Sequence, residues 1–276
     1  MTLLNLAGTA LAAFAAAAPL TAMAADPITW PDGKKAAIVL TYDDALPTQL
    51  DNALPALDAR GLKGTFFLTV ESGDFSPRLE EWKAVAAEGH ELANHTLFHP
   101  CRGGEGREWV RPDTDLDTYS LERLVTELKL TSALLDALDG GAPRTFAYTC
   151  GDTTVSGESF VEAIKPMFLG ARTVQQETPV LADGALDAYR IGTYAEPDPS
   201  GADLIAYAEG VLEAGGIGTY LFHGIGGDHL VVSTEAHADL LDWLVDHEDE
   251  VWVTTFRDAM TWLREEGAAE GKPAPP

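Results

Sequence analysis

Residues 35–45 read KAAIVLTYDDA, a short apolar run that ends in two adjacent carboxylates. A run of this length and composition predicts a buried strand. Similar runs alternate with longer amphipathic segments along the chain. Strands are predicted at residues 35–41, 64–70, 91–94, 145–148, 169–174, 189–194, 218–222 and 251–255, and helices at 50–60, 78–88, 118–138, 202–213, 236–246 and 256–265. This alternation, with no internal repeat and no linker, predicts an α/β fold with one barrel-like domain.

Polar side chains suited to chemistry follow several of the predicted strands. They are Asp43, Asp44, His95, His99, Cys150, Asp152 and His223. The carboxyl ends of parallel strands are where α/β folds build their sites, so we expect these side chains to converge. Taken alone, the Asp43–Asp44 pair could instead form a turn and a helix cap before Pro47.

His95 and His99 are four residues apart, a spacing that predicts one face of a helical turn. Two imidazoles joined by a carboxylate form a mixed nitrogen and oxygen set that suits zinc or another first-row divalent ion. His223 follows an apolar strand and, taken alone, could be structural, although the glycines after it leave backbone room for a ligand.

Four motifs occur in a fixed order: TYDDA at 41–45, GHELANHTLFHP at 89–100, FAYTCG at 146–151 and LFHG at 221–224. In order and approximate spacing they resemble the polysaccharide deacetylases of carbohydrate esterase family 4. GLKGTFF at 61–67 fits the strand between the first two motifs, and the resemblance spans roughly residues 36–263. It implies a distorted (β/α) barrel of about seven parallel strands.

The resemblance also implies residue roles. Asp43 becomes the general base, His223 the acid, and Asp44, His95 and His99 the metal ligands. Leu221 is predicted to line the pocket for the acetyl methyl group, and Tyr148 and the backbone N–H of Cys150 to contact the substrate or its oxyanion. A bound metal would lower the pKa of its water towards ~7, as amide hydrolysis near neutral pH requires. Zinc is the predicted ion, with cobalt and nickel as alternatives.

The chain departs from the family pattern in two places. Ala147 stands where the family carries an arginine paired with the base. Arg172, at the end of the next predicted strand, could supply that guanidinium or could be an ordinary surface or salt-bridging residue. The aspartate motif that orients the acid histidine is not evident, and Asp228 is only close to His223 in sequence.

Cys101 and Cys150 each follow a predicted site segment, which favours a disulfide in an oxidising compartment. Two free thiols or additional metal ligands are the alternatives. Residues 102–120 predict a loop over the barrel mouth, in which Trp109 could stack on a sugar or the whole loop could simply be solvated.

Residues 1–24 contain no charged side chain and end in Ala-Met-Ala, which predicts a signal peptide and export to the periplasm or the medium. A lipid-anchored or retained helix is the alternative. We assign residues 25–266 to the catalytic domain and 267–276 to a disordered tail, and we expect no stable membrane span in the mature protein. The net charge of −26 argues against nucleic acid as a partner. The sequence does not define the oligomeric state.

These features predict hydrolysis of acetyl groups from an amino-sugar polymer or oligomer. An O-acetyl esterase acting on a plant polysaccharide such as xylan would use the same groups. A catalytically inactive carbohydrate-binding protein is the third alternative, suggested by Ala147 and opposed by retention of all five predicted metal, base and acid residues.

Overall fold

The computed structural model describes residues 28–176 and 186–269. The strands are β1 Ala36–Asp43, β2 Thr65–Leu68, β3 Glu91–Asn94, β4 Phe146–Ala147, β5 Thr154–Val155, β6 Glu158–Ser159, β7 Ala171–Gln176, β8 Ile191–Thr193, β9 Ile217–Phe222 and β10 Val251–Thr254. The helices are α1 Leu54–Asp58, α2 Leu79–Ala87, α3 Leu121–Asp139, α4 Val161–Ile164, α5 Gly201–Ala214, α6 Thr234–Asp246 and α7 Phe256–Ala269. The predicted signal segment, 1–24, lies outside the described residues. The predicted tail overlaps the end of α7 as far as Ala269, and 270–276 are not described.

The strands form a nearly closed barrel. β1 pairs in parallel with β9 along one edge, and along its other edge first with β10 and then with β2. From β2 the ring continues through β3, β4, β7 and β8, all in parallel. Tyr194 returns the chain to β9, since its N–H donates to Thr219 at 2.8 Å and its carbonyl accepts from Leu221 at 3.0 Å. The described ring therefore contains seven parallel strands, as the resemblance implied, and β10, which pairs only with β1, is the eighth strand of the sheet.

The alternation of side chains along β1 divides the apolar residues into two packed groups. Ile38, Leu40 and Tyr42 belong to one, and Ala37 and Val39 belong to the other. Because successive strand residues face opposite sides, the strand ends with Tyr42 and Asp43 on different faces. Asp43 therefore lies at the carboxyl end of β1, on the same face of the strand as Ala37 and Val39.

Local capping explains where α3 begins and ends. Ser120 caps α3 by accepting from the N–H of Arg123, so the helix predicted from residue 118 begins at Leu121. It ends at Gly140, whose φ of 81° suits a residue without a side chain. A small antiparallel hairpin, β5–β6, lies off the ring and is not apparent in the hydrophobic pattern.

One buried contact between β1 and α6 predicts a pH-dependent stability. Tyr42 Oη and His237 Nε2 are hydrogen bonded at 2.8 Å, and burial lowers the pKa of His237 to about 3. The unfolded chain takes up this proton near pH ~6.5, so stability falls as the pH drops from there towards 3. We expect the titration of His237 alone to lower the free energy of unfolding by about 2–3 kcal/mol between pH 7 and pH 4.5.

His237→Gln should remove that part of the pH dependence. Urea unfolding of the wild type and the variant at four pH values from 7 to 4.5 gives, for each protein, the slope of the free energy of unfolding against pH. Equal slopes for the wild type and the variant would contradict the assignment.

Candidate active site

The predicted site residues meet around a cavity of about 890 Å³ at the carboxyl ends of the barrel strands. Its lining includes Asp43, Asp44, His95, His99, Tyr148, Cys150, Leu221 and His223. Arg172 lies behind this wall and is fully buried. The strand ends therefore bring together side chains that are up to 180 positions apart in sequence (43 to 223).

The backbone at the end of β1 directs both carboxylates towards the cavity. Asp43 keeps its strand orientation, whereas Asp44 has a φ of 79° and Ala45 a φ of 60°. Left-handed conformations break the alternation of the strand, and aspartate tolerates them better than most residues. The helical segment that follows begins at Pro47, and the side-chain bonds of Asp43 and Asp44 go to Arg172 and His229 instead of to its backbone N–H groups. The interpretation of the aspartate pair as a helix cap is therefore wrong.

The two histidines meet through a loop and not through the helical turn that we predicted. Thr96 and His99 have φ values of 69° and 50°, which excludes an α-helical turn. Side chains close the loop: Asn94 Oδ1 accepts from the N–H of Thr96, and Thr96 Oγ1 accepts from the N–H of His99, both at 2.9 Å. The imidazole rings are 5.0 Å apart. The spacing of four residues predicted the convergence but not its backbone.

One oxygen of Asp44 faces both imidazoles. Asp44 Oδ1 lies 3.5 Å from His95 Nε2 and 3.3 Å from His99 Nε2. It is buried and has no hydrogen-bond partner among the residues that the structure describes. His95 Nδ1 lies 2.9 Å from the carbonyl of Ala147, an arrangement in which Nδ1 donates and Nε2 presents its lone pair to Asp44. A buried carboxylate oxygen without a donor, beside two nitrogen lone pairs, fits a divalent cation.

The electrostatics of this cluster attract one positive charge, either a proton on His95 or a metal cation in place of that proton. Burial would raise the pKa of Asp44, but the interactions with His229, His95 and His99 together bring it well below its usual range. Burial opposes protonation of His95, yet Asp43 and Asp44 raise its pKa overall. Burial, followed by the charge of His95, lowers the pKa of His99 to about 4. The second imidazole therefore stays neutral, as a metal ligand must be.

Asp43 is paired with a buried guanidinium from β7, a strand that is not adjacent to β1 in the ring. Arg172 Nη2 donates to Asp43 Oδ1, and Arg172 Nη1 donates to the carbonyl of Thr173 at 3.1 Å. The same guanidinium lies 4.8 Å from the centre of the Phe67 ring. Arg172 and Ala147 are direct neighbours in the register of β7 and β4. Of the two alternatives for Arg172, a surface residue is wrong, whereas the salt bridge is observed.

His223 lies on the other side of Asp44. Its Nε2 is 3.7 Å from Asp44 Oδ2, and its side chain is largely buried. Burial lowers the pKa of His223, although Asp43 and Asp44 oppose the effect. Asp228 does not orient this ring, because its carboxylate accepts from the N–H and the hydroxyl of Thr48 at 3.0 and 2.6 Å.

Cys101 and Cys150 form the predicted disulfide, which joins the histidine loop to the turn at Thr149–Gly151. Free thiols and thiolate metal ligands are thereby excluded in this state. Tyr148 lines the cavity, but its hydroxyl donates to the carbonyl of Tyr189 at 3.0 Å. The hydroxyl proton of Tyr148 is therefore already used in a hydrogen bond within the protein.

The loop over the cavity exposes one aromatic ring. Trp109 is 62% exposed and belongs to the cavity lining. Two arginines of the loop form ion pairs with carboxylates of the protein. Arg102 pairs with Asp117, and Arg107 pairs with Asp152. The loop is therefore held in place, and its tryptophan remains available for contact.

Sequence reasoning missed His229. Its Nε2 lies 3.0 Å from Asp44 Oδ2, and its side chain is 54% exposed at the cavity. The signal was present in the stretch HGIGGDH at 223–229, where a second histidine follows a glycine-rich turn.

Comparisons with known proteins place this geometry in context. A family model described as polysaccharide deacetylase matches residues 31–163. A peptidoglycan-N-acetylglucosamine deacetylase of Bacillus cereus is 37% identical over 111 residues, which cover 40% of this chain and 34% of the relative. A gellan lyase of a Bacillus species is 28% identical over 136 residues, 49% of this chain and 5% of the relative. The chain thus spans about a third or less of the length of these two curated relatives.

The fold is also similar to that of solved structures. A putative polysaccharide deacetylase from Mycobacterium smegmatis superposes with a TM-score of 0.62 and 17% identity, covering 92% of this chain and 97% of that one. Such a likeness supports the barrel fold.

Proposed function

We propose, from the premise that this chain belongs to the polysaccharide deacetylase family, that it hydrolyses acetyl groups from an N-acetylated amino-sugar polymer or oligomer with a bound divalent ion. The observation that carries the proposal is the buried Asp44 Oδ1, which lies between the Nε2 atoms of His95 and His99 and has no hydrogen-bond partner in the described part of the chain. An inactive sugar-binding protein would have no use for this orphaned oxygen, because leaving it without a partner costs free energy.

Asp44, His95 and His99 would hold the ion, and their mixed oxygen and nitrogen donors suit zinc, with cobalt or nickel as alternatives. A divalent ion bound there supplies Lewis acidity, which polarises a carbonyl and lowers the pKa of water towards ~7. The remaining steps fall to side chains of this chain.

Asp43 acts as the general base. Its Oδ1 is bound to Arg172, so Oδ2, which lies 3.7 Å from His95 Nε2, is the oxygen that faces the site. As a water oxygen bonds to the acetyl carbon, Asp43 takes the proton that the water loses. The guanidinium compensates the charge of this carboxylate, which is otherwise buried away from solvent.

His223 acts as the general acid. When the tetrahedral species collapses, the C–N bond breaks and the leaving nitrogen takes a proton from His223, which releases acetate and a free amine. Burial lowers the pKa of His223, and a lower pKa makes its imidazolium a better proton donor. We propose by analogy that the backbone N–H of Cys150 contacts the oxyanion and that Leu221 contacts the acetyl methyl group, and both residues line the cavity.

The amino-sugar substrate is supported by the deacetylase from Bacillus cereus, whose name specifies N-acetylglucosamine. Residues 1–24 support export of the protein to the periplasm or the medium. Within the described residues, no helix combines the length and the apolar character needed to cross a bilayer.

Acetate release tests the function directly. The purified protein should release acetate from N-acetylglucosamine oligomers, lose that activity on treatment with a chelator and regain it with zinc, cobalt or nickel. Asp44→Ala should abolish both metal binding and turnover, whereas Asp249→Asn, a control at an exposed carboxylate, should leave both unchanged. Release from acetylated xylan alone would establish the O-acetyl esterase instead, and release from no substrate would reject both activities.

Trp109 should contribute to binding of longer substrates and not to the chemical step. Because an aromatic stacking contact contributes roughly 0.5–1.5 kcal/mol, Trp109→Ala should raise KM for an oligosaccharide by about two- to tenfold and leave kcat within about twofold. Trp109→Phe keeps a ring and should recover most of the affinity. Steady-state kinetics with dimers and pentamers measure both constants, and an unchanged KM in the alanine variant would reject the contact.

A further inference from the structure

The two oxygens of Asp44 face two different pairs of histidines. Oδ1 faces His95 and His99, as described above. Oδ2 lies 3.0 Å from His229 Nε2 and 3.7 Å from His223 Nε2. The three donor atoms of this second group lie within 4.8 Å of one another, as do those of the first group.

The spacing on the second side is that of a cation site. Two ligands held about 2.0–2.1 Å from a tetrahedral zinc ion are about 3.3 Å from each other. The distances from Oδ1 to the first pair are 3.3 and 3.5 Å, and those from Oδ2 to the second pair are 3.0 and 3.7 Å, all of them close to that value. One hydrogen bond between Asp44 and His229 would not by itself bring a second imidazole to the same oxygen.

The loop that carries His229 is built to hold this position. The N–H of Gly224 donates to the carbonyl of His229 at 3.2 Å, and Asp228 binds Thr48. A Cβ at Gly224 would lie 1.9 Å from the carbonyl oxygen of Gly227, so only glycine fits this close turn. Leu230 follows with a φ of 48°. His229 is therefore fixed against Asp44 and does not simply extend from a free loop.

We propose that Asp44 Oδ2, His223 Nε2 and His229 Nε2 form a second divalent-cation site, so that Asp44 bridges two cations. The inference rests on the proposed function, because the first cation shares the same carboxylate. An imidazole pair with one carboxylate oxygen takes borderline ions such as zinc. The side chains of His223, His229 and Asp44 are 16%, 54% and 17% exposed, so an ion can reach the site from the cavity.

The second site regulates the first. The two cations repel each other and share one negative charge, so the second should bind at least about tenfold more weakly. A cation on His223 Nε2 occupies the lone pair that must carry the proton to the leaving nitrogen. The enzyme should therefore be active with one equivalent of zinc and inhibited by excess zinc.

Equilibrium dialysis against zinc measures this without any substrate. The wild-type protein should bind two equivalents, with two separated dissociation constants. His229→Gln keeps a hydrogen-bonding group beside Asp44 and should bind one equivalent. His247→Gln removes a half-buried histidine elsewhere on the protein and should still bind two.

The outcomes separate this inference from the proposed function. A wild-type protein that binds only one equivalent, or a His229→Gln variant that binds two, overturns the second site and leaves the first intact. Loss of the second equivalent in His247→Gln would also overturn it, by tracing the binding to an adventitious histidine. A wild-type protein that binds no zinc rejects the proposed function itself. In kinetic assays, excess zinc should slow acetate release at least about tenfold in the wild type, and this inhibition should disappear in His229→Gln.

Discussion

Asp43→Asn is expected to lower turnover by about 10²–10⁴-fold while the protein still binds its first equivalent of metal. The amide keeps the size of the carboxylate but accepts no proton, and general-base catalysis is worth roughly 10²–10⁴-fold. The three proposed ligands are unchanged, so metal content should match the wild type. Acetate release and metal analysis on the same sample measure the two properties.

Asp152→Asn is a suitable control, because Asp152 accepts a hydrogen bond from Arg107 of the loop and is not among the residues that line the cavity. It should keep most of its turnover. A metal-loaded Asp43→Asn variant with more than about a tenth of wild-type turnover would remove Asp43 from the role of base.

Arg172→Met is expected to destabilise the protein and to lower turnover together. Methionine fills much of the buried volume but leaves Asp43 as a charge without its partner, and breaking a buried pair in this way costs about 3–5 kcal/mol. Denaturant unfolding measures that loss. Unchanged turnover in a variant that remains folded would show that the guanidinium does not assist the base.

A position swap separates the guanidinium from the residue that carries it. Ala147 is the register neighbour of Arg172, so Ala147→Arg combined with Arg172→Ala returns an arginine to the neighbouring strand with little change in total volume. The double variant should be at least about tenfold more active than Arg172→Ala alone. A double variant no better than the single one would argue that the position, and not only the charge, is required.

The sequence predicted the parts of the fold that depend on local pattern. Alternating apolar runs identified the ring strands because each run must bury both faces of a strand. The motif order also predicted which side chains converge, since parallel strands end at one edge of the barrel. The pairing of β1 with both β10 and β2 along a single edge was not predictable, because it depends on how the barrel closes.

The site details that escaped prediction depend on backbone geometry. The left-handed conformations of Asp44, Thr96 and His99 are set by side-chain hydrogen bonds and strand contacts in the folded barrel. His229 was missed for a related reason, because its approach to Asp44 requires the folded turn after β9. Arg172 could be proposed from sequence only as a hypothesis, since a register between two strands cannot be read from one chain.

The bond between Cys101 and Cys150 ties the loop of a proposed metal ligand to the turn that holds the proposed oxyanion donor, across 49 positions of chain. The stretch between them contains the whole of α3. Material produced in a reducing host would have these two loops unlinked, with His99 held by fewer constraints. Preparations from oxidising and reducing hosts are thus chemically different molecules, and the thiol content of a sample belongs beside every measurement of its activity.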